Sequence, residues 1–225
     1  MSDVQLNWQA ARLPTSQALE GRFIRLEKLD PARHGDDLWL ALEGPGADAK
    51  LWDYLPYGPF QARSDFDNWL AGHAASSDPW FYSVVDKTTG KVEGMLSLMS
   101  IVPAQGRIEI GHVTFGAPMQ RTAKSTEAIY LLARESFALG NRRLEWKCNA
   151  NNARSMRAAD RFGFSFEGTF RQHMVVKGVN RDTAWYSIID SEWPPLQRAF
   201  EQWLAEDNFT GGQQIKSLQA CRQAI

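Results

Sequence analysis

Three stretches of this 225-residue chain carry side chains whose types and spacing could do chemistry. The first is PMQRTAKSTEA (118–128), which follows a strand-like run and opens a helix-like one. That is where a chain cradles phosphate on free backbone amides. Such loops usually carry glycine, because the backbone must approach the phosphates closely, and this one has none. It offers Gln120, Arg121, Thr122, Ala123, Lys124 and Ser125 instead, followed by Thr126. Hydroxyl donors and two cations would thus stand beside the positive end of a helix dipole. The same residues also suit a capped helix start with a solvated basic pair. The second stretch is RIEIGHVTF (107–115), where strand alternation puts Glu109 on one face with Gly111, Val113 and Phe115. A carboxylate there can accept a proton from a bound group or simply pair with Arg107 on the surface. The third is LWDYLPYGPF (51–60), an irregular segment rich in aromatics, Gly and Pro; long ordered loops of this kind often carry function.

Several familiar constellations are missing from the sequence. It has no G-x-S-x-G elbow, Walker loop, dinucleotide G-x-G-x-x-G or H-E-x-x-H. His34, His73, His112 and His173 are scattered without metal-ligand spacing, so no metal is expected. A net charge of -1 gives no general affinity for nucleic acid or an anionic membrane. Hydrophobic residues at 44% and charged residues at 23% describe an ordinary globular chain. Cys148 and Cys221 make no disulfide framework and read as reduced thiols. The amino terminus lacks a signal-peptide layout and no apolar run approaches ~20 residues, so a cytoplasmic protein is expected. The Asn208-Phe209-Thr210 sequon carries no meaning in that setting.

The elements that must position these residues follow from periodicity. GRFIRLEKL (21–29) alternates like a half-buried strand, and a short helix is expected over 31–43. Phe66, Trp69, Leu70 and His73 mark a second helix, with Ser64 or Asp65 as its cap. Three consecutive antiparallel strands are expected at 80–86, 92–102 and 107–116, joined by TTGK and PAQG turns. Ile129, Leu132, Ala133, Ser136 and Phe137 share a helical face, and Gly140 is placed to end that helix. RLEWKCN (143–149) reads as a strand and 152–163 as a helix, capped by Asn151 or Asn152 and stopped by Gly163. Two strands then surround a VNRD turn, in which Asp182 is a turn former. Leu196, Ala199, Phe200, Trp203 and Leu204 define a helix over 195–206, followed by a weaker helical tail to Ile225. Trp146 and Trp185 fall on strand patterns and are most simply core.

This order of elements, with two of the stretches, resembles the GNAT family of Gcn5-related N-acetyltransferases, and in detail its RimJ/RimL-like branch. NARSMRAADRFGFSFEG (152–168) is the more specific match: N-x-x-S, then eleven residues from Asn to Gly-Phe, then E-G. The loop Gln120 to Ser125 is similar to the family's Q/R-x-x-G-x-G/A with Ala123 and Ser125 at the glycine positions, and DTAWYSIIDSEWP also fits. The resemblance covers roughly residues 20–194. It implies acetyl-CoA as co-substrate, lying between the fourth and fifth strands, with the fourth bulged open near Gly111. It implies pyrophosphate on the 120–125 amides, Glu109 as general base, the Val113 N–H as donor to the acetyl oxygen, and Asn152 against pantetheine. The tyrosine that many members use to protonate the thiolate is replaced here by Ala159, and the branch implies Ser155 in its stead. The 51–60 loop would cover the acceptor, with Trp52, Tyr54 and Tyr57 as an aromatic wall and Asp53 drawing in an amine. His112 and His173 are alternative bases.

The expected fold is therefore a mixed α/β GNAT acyltransferase. Its central, mostly antiparallel seven-stranded sheet is split between strands 4 and 5, with helices on both faces. The domain layout is a lead at 1–20, the acetyltransferase domain at 21–194 and a C-terminal helical extension at 195–225. The expected activity is transfer from acetyl-CoA to a primary amine, on a small molecule or a protein N-terminus. The alternative is a GNAT-like module that binds acyl-CoA or a partner without catalysis. The aromatic loop and helical tail are candidate surfaces for a homodimer.

Overall fold

A computed structural model of the protein describes residues 6–224. Residues 1–5 of the lead and Ile225 at the end of the tail lie outside that range. In chain order the strands and α-helices are β1 (Ala18–Glu20), β2 (Ile24–Lys28), α1 (Pro31–Leu42), α2 (Arg63–Ala75), β3 (Trp80–Asp86), β4 (Val92–Val102) and β5 (Arg107–Phe115). They continue with α3 (Ala123–Ala138), β6 (Arg143–Asn149), α4 (Ala153–Phe162), β7 (Ser165–Val176), β8 (Val179–Ile189), α5 (Trp193–Leu204), β9 (Phe209–Thr210), β10 (Gln213–Gln214) and α6 (Leu218–Gln223). The main sheet has eight strands in the order β1-β2-β3-β4-β5-β6-β8-β7. The strand beyond the expected seven is β1, contributed by residues assigned to the lead. It pairs antiparallel with β2, Leu19 opposite Leu26. All neighbours are antiparallel except β5 and β6, which run parallel.

Two apolar layers cover the sheet. On one face, Ile108 and Ile110 of β5, Leu144 and Trp146 of β6 and Tyr186 of β8 pack with Ile129 and Leu132 of α3 and Phe162 of α4. On the other, α1 and α2 bring Leu38, Leu42, Phe66 and Leu70 onto Phe81, Val85 and Met95. The C-terminal segment belongs to the first layer: Phe200, Trp203, Leu218 and Cys221 are all buried there. The expected helical tail forms a two-residue β9–β10 hairpin before α6. Arg222 of α6 donates to the Asp160 carbonyl at 2.8 Å, so the tail caps the end of α4. Gly163 closes that helix in the left-handed region, φ 95°, as a glycine can without strain.

Three local expectations shift. The turn between β7 and β8 is Lys177-Gly178, ahead of VNRD, so Asp182 lies inside β8. There it accepts from the Gln172 amide at 2.7 Å and the Asn180 amide group at 3.0 Å, across the β7 bulge. The cap of α2 is Ala62, with no side-chain hydrogen bond. In β5 the extra residue sits between Gly111, opposite Ser97, and Thr114, opposite Met95. The bulge is therefore at His112–Val113, with His112 at φ 51°.

Candidate active site

The bulge determines which side chains share a face. Up to Gly111 the even residues Ile108 and Ile110 point into the first layer; past it, Val113 and Phe115 do. Glu109 therefore lies opposite Val113 and Phe115 rather than beside them, because one inserted residue reverses a period of two. Gly111 remains necessary on Glu109's side, since a Cβ there would stand 2.2 Å from Met99 Sδ.

β5 and β6 are paired through Ile110↔Trp146 and no further, although β5 continues to Phe115 and β6 to Asn149. The sheet thus opens as a wedge whose apex is that pair. Past it, the two edges that face each other across the gap have no strand partner, although β5 stays paired with β4 and β6 with β8, and an extended amide-bearing molecule is what such edges pair with.

At the open end of the wedge, α3 begins at Ala123. Ala123 is already helical, so its methyl group is harmless where the resemblance expects glycine. The left-handed residue of the loop is Arg121, φ 62°. Thr122 stands at the N-cap but does not cap: its hydroxyl donates back to Met119 O at 2.7 Å, and Ser125's to Thr122 O at 2.9 Å. The first amides of a 16-residue helix are left without a side-chain cap, the arrangement that binds anions. Gln120 is exposed and reaches Phe115 O. Lys124 faces inward, its ammonium held by Asp86 at 3.0 Å and by Glu93. Of the two loop cations, only Arg121 is left to face a ligand.

α4 starts just past the free end of β6, three residues beyond the apex strand pair plus a short turn, and folds back so that Ser155 reaches the apex tryptophan. Asn152 caps it, Oδ1 accepting from Ser155 N at 3.1 Å. The Trp146 indole N–H donates to Ser155 Oγ at 3.0 Å. Trp146 is buried core as expected, and it also orients the serine.

On the α1–α2 face, three carboxylates stand in a row. Glu145 binds Arg143 at 2.8 Å through Oε1 and Arg107 at 3.4 Å through Oε2. Glu167 has both oxygens on Arg143 and accepts from Ser187 as well. Glu109, only 4% exposed, binds Lys147 Nζ at 2.6 Å and Ser100 Oγ at 3.1 Å, both through Oε2. Burial raises its pKa and Lys147 works against the rise. Lys147 also lies 4.5 Å above the half-buried Trp185 ring, so that tryptophan faces the groove rather than filling the core.

The 43–62 loop spans the groove. Tyr54 donates to Asn151 O at 3.1 Å, and Lys177 of the β7–β8 turn donates to Trp52 O and Gly58 O. Trp52 has no exposed surface: it packs on Tyr57, Phe60 and Trp69 and cannot wall a pocket. Asp53 is exposed. Tyr57 stacks on His112, its hydroxyl 2.6 Å from Nδ1, and burial holds its pKa above the ordinary phenol range. Burial likewise pushes His112 and His73 down to about 4. His173 lies on exposed β7, Nδ1 3.0 Å from Thr183 Oγ1.

The structure therefore brings His112 and Val113 to the bulge with Glu109 just before it on the same strand, Asn152 and Ser155 to the start of α4 with Ser155 reaching the apex tryptophan, and Arg121 to Ser125 to the start of α3. Lys147 and Ser100 carry no motif, and only strand pairing places them on Glu109. Among the described residues no group of three or more His, Cys, Asp or Glu could hold a metal ion. No helix there is long and apolar enough to cross a membrane.

A family model described as an acetyltransferase (GNAT) domain matches residues 25–165. A solved GCN5-related N-acetyltransferase from Brucella melitensis superposes with a TM-score of 0.94 at 47% identity, covering 96% of this chain and 99% of that one. A structure described as a probable acetyltransferase (GNAT family) from Chromobacterium violaceum ATCC 12472 gives 0.80 at 44% identity over 86% and 96% of the two chains. The RimL ribosomal L7/L12 alpha-N-protein acetyltransferase gives 0.65 at 19% identity over 79% and 98%, a likeness of fold alone. No match was found among curated proteins.

Proposed function

This chain belongs to the GNAT family of acetyltransferases, and from that premise we propose that it moves an acetyl group from acetyl-CoA to a primary amine by direct attack. The observation that carries this reading is the wedge: β5 parts from β6 immediately after Ile110↔Trp146, between a bulge on one side and a serine-bearing helix start on the other. The residues present fit acetyl-CoA. Unpaired strand edges suit the amides of pantetheine, and the uncapped start of α3 suits pyrophosphate.

Bound there, acetyl-CoA supplies an activated thioester. The backbone N–H of Val113 stabilises negative charge developing on the acetyl oxygen. Glu109 Oε1 accepts the amine's proton, directly or through water. Ser155, whose oxygen accepts from Trp146, gives its own hydrogen to the departing thiolate. Asn152 and the 121–125 amides hold the carrier, while Tyr54, Tyr57 and the loop they belong to cover the acceptor. The balance is amine plus acetyl-CoA to amide plus free thiol. A protein N-terminus and a small-molecule amine remain the two acceptor classes, and RimL's substrate is that protein's own.

Calorimetric titration with CoA, followed by thiol release from acetyl-CoA against a panel of primary amines, tests the reading. Micromolar CoA binding with acceptor-dependent thiol release is expected. Binding without release from any amine would favour a non-catalytic acyl-CoA module.

A further inference from the structure

Of the three carboxylates in the groove, Glu145 and Glu167 have both oxygens engaged by arginine. Glu109 alone has both of its contacts on one oxygen. Its Oε1 has no partner among the described residues and lies on the Gly111 side, 3.8 Å from the point a Cβ there would occupy. The two residues that occupy Oε2 come from the strands on either side of β5. Ser100 of β4 sits in a second irregularity of the sheet, where β4 carries an extra residue between Met99↔Glu109 and Val102↔Arg107. Its φ of 51° is strained for a serine and turns it out of the normal alternation. Lys147 of β6 is the first residue beyond the wedge apex.

We propose that Lys147 and Ser100 are positioning residues for the transfer. They hold one oxygen of Glu109, fix the plane of the carboxylate, and leave the other oxygen free to accept a proton, which neither Glu145 nor Glu167 can offer. The inference rests on the reading of Glu109 as the base. A carboxylate this deeply buried would otherwise favour its neutral form, which cannot accept a proton. The groups facing it are Ser100 from β4, Glu145 and Lys147 from β6, and Arg181 from β8, whose half-buried side chain donates to Thr183 Oγ1. Burial and Glu145 push Glu109 toward protonation, and Lys147 with Ser100 opposes them. Oε1 then takes the amine proton while the Lys147 ammonium keeps its own, so no proton passes along the pair.

The test has two readouts. Protein labelled with carbon-13 at the glutamate carboxyls is titrated by NMR, with the Glu109 signal identified by its loss in Glu109→Gln. The midpoint is expected to rise by one pH unit or more in Lys147→Met and to return in Lys147→Arg. Ser100→Ala should move it the same way by less, and serves if Lys147→Met does not fold. A midpoint unmoved in both Lys147→Met and Ser100→Ala overturns the proposal. The second readout is the acid limb of kcat/KM for acetyl-CoA with one fixed primary amine. That limb should follow the NMR midpoint in every variant and vanish in Glu109→Gln. A limb that persists in Glu109→Gln overturns the base reading itself, and with it the positioning role, whatever the titration shows.

Discussion

The indole of Trp146 donates to the oxygen of Ser155 at 3.0 Å, from the last residue of β6 still paired with β5. The contact occupies the oxygen as an acceptor from inside the sheet, so the hydroxyl's own hydrogen goes to the buried Cys148 sulfur beside it or to whatever binds in the wedge. A serine in this state can donate to sulfur, as a departing thiolate requires. Ser155→Ala should lower kcat by about 10²-fold, the low end of what a positioned proton donor contributes. CoA affinity should stay within about threefold, because α4 keeps its Asn152 cap. Steady-state kinetics with calorimetry in parallel would check both. An unchanged kcat would remove Ser155 from the mechanism.

The two loop cations should behave oppositely. Lys124 is enclosed by Asp86 and Glu93, and removing it leaves two carboxylates facing each other. Lys124→Met should cost about 3 kcal/mol in urea unfolding, with little change in CoA affinity. Arg121 has no carboxylate partner among the described residues and holds a left-handed φ of 62°. Arg121→Gly should relieve up to about 1 kcal/mol of strain while weakening CoA several-fold. The reverse pattern would put the ammonium, not the guanidinium, on the ligand.

These two residues also mark how far the sequence could be read. Element order, the helix ends at Asn152, Gly163 and Gly140, and the strand carrying Glu109 were all legible, because period and capping are local properties. Lys124 and Arg121 look alike in sequence, and only the placement of the first turn of α3 beside Asp86 and Glu93 turns one inward. The reversal of faces after Gly111 was hidden for a similar reason. A bulge is set by the partner strand, so period-two counting from Glu109 wrongly gathered Val113 and Phe115 onto its side. Trp52 read as a wall because a loop aromatic and a core aromatic share a composition. Its burial depends on Phe60 and Trp69 closing around it. Lys147 and Ser100 could not be paired with Glu109 at all without the register of three strands.

Glu127 on α3 should be among the most costly single polar changes outside the groove. Its carboxylate, 2% exposed, accepts the backbone amides of Arg22, Phe23 and Ile24 at 2.5, 2.7 and 2.9 Å. It thereby ties the start of β2 to the helix that opens the anion site. Glu127→Gln replaces an acceptor oxygen with a donor that faces an amide. A loss of about 2–3 kcal/mol is expected in chemical unfolding. A loss below about 0.5 kcal/mol would mean that water can take over those amides.

The pH dependence of stability should be dominated near neutrality by two histidines. His73 and His112 pack edge to face beside Tyr57 and Phe81, and His73 also lies against Trp69; among the described residues neither ring forms an ion pair with a carboxylate. Burial, with mutual repulsion as a lesser cause for His112, depresses both from 6.5 to about 4. As pH falls below 6.5 the unfolded chain binds a proton at each ring while the folded chain does not. Stability is therefore full above the unfolded pKa and is lost as pH falls toward about 4. Between pH 7 and pH 5 the pair should remove on the order of 2 kcal/mol, discounted for partial solvent access. His34, also held low by burial, adds in the same direction. The ion-paired carboxylates Glu27, Asp86 and Glu167, whose pKa values are lowered, begin to contribute only at lower pH. Urea midpoints measured across pH 5–7 should thus slope downward toward acid in the wild type. His73→Phe should flatten that slope by about one proton's worth. An equal slope in the variant would mean that the His73 ring takes up its proton in the folded state, and that the aromatic cluster admits water.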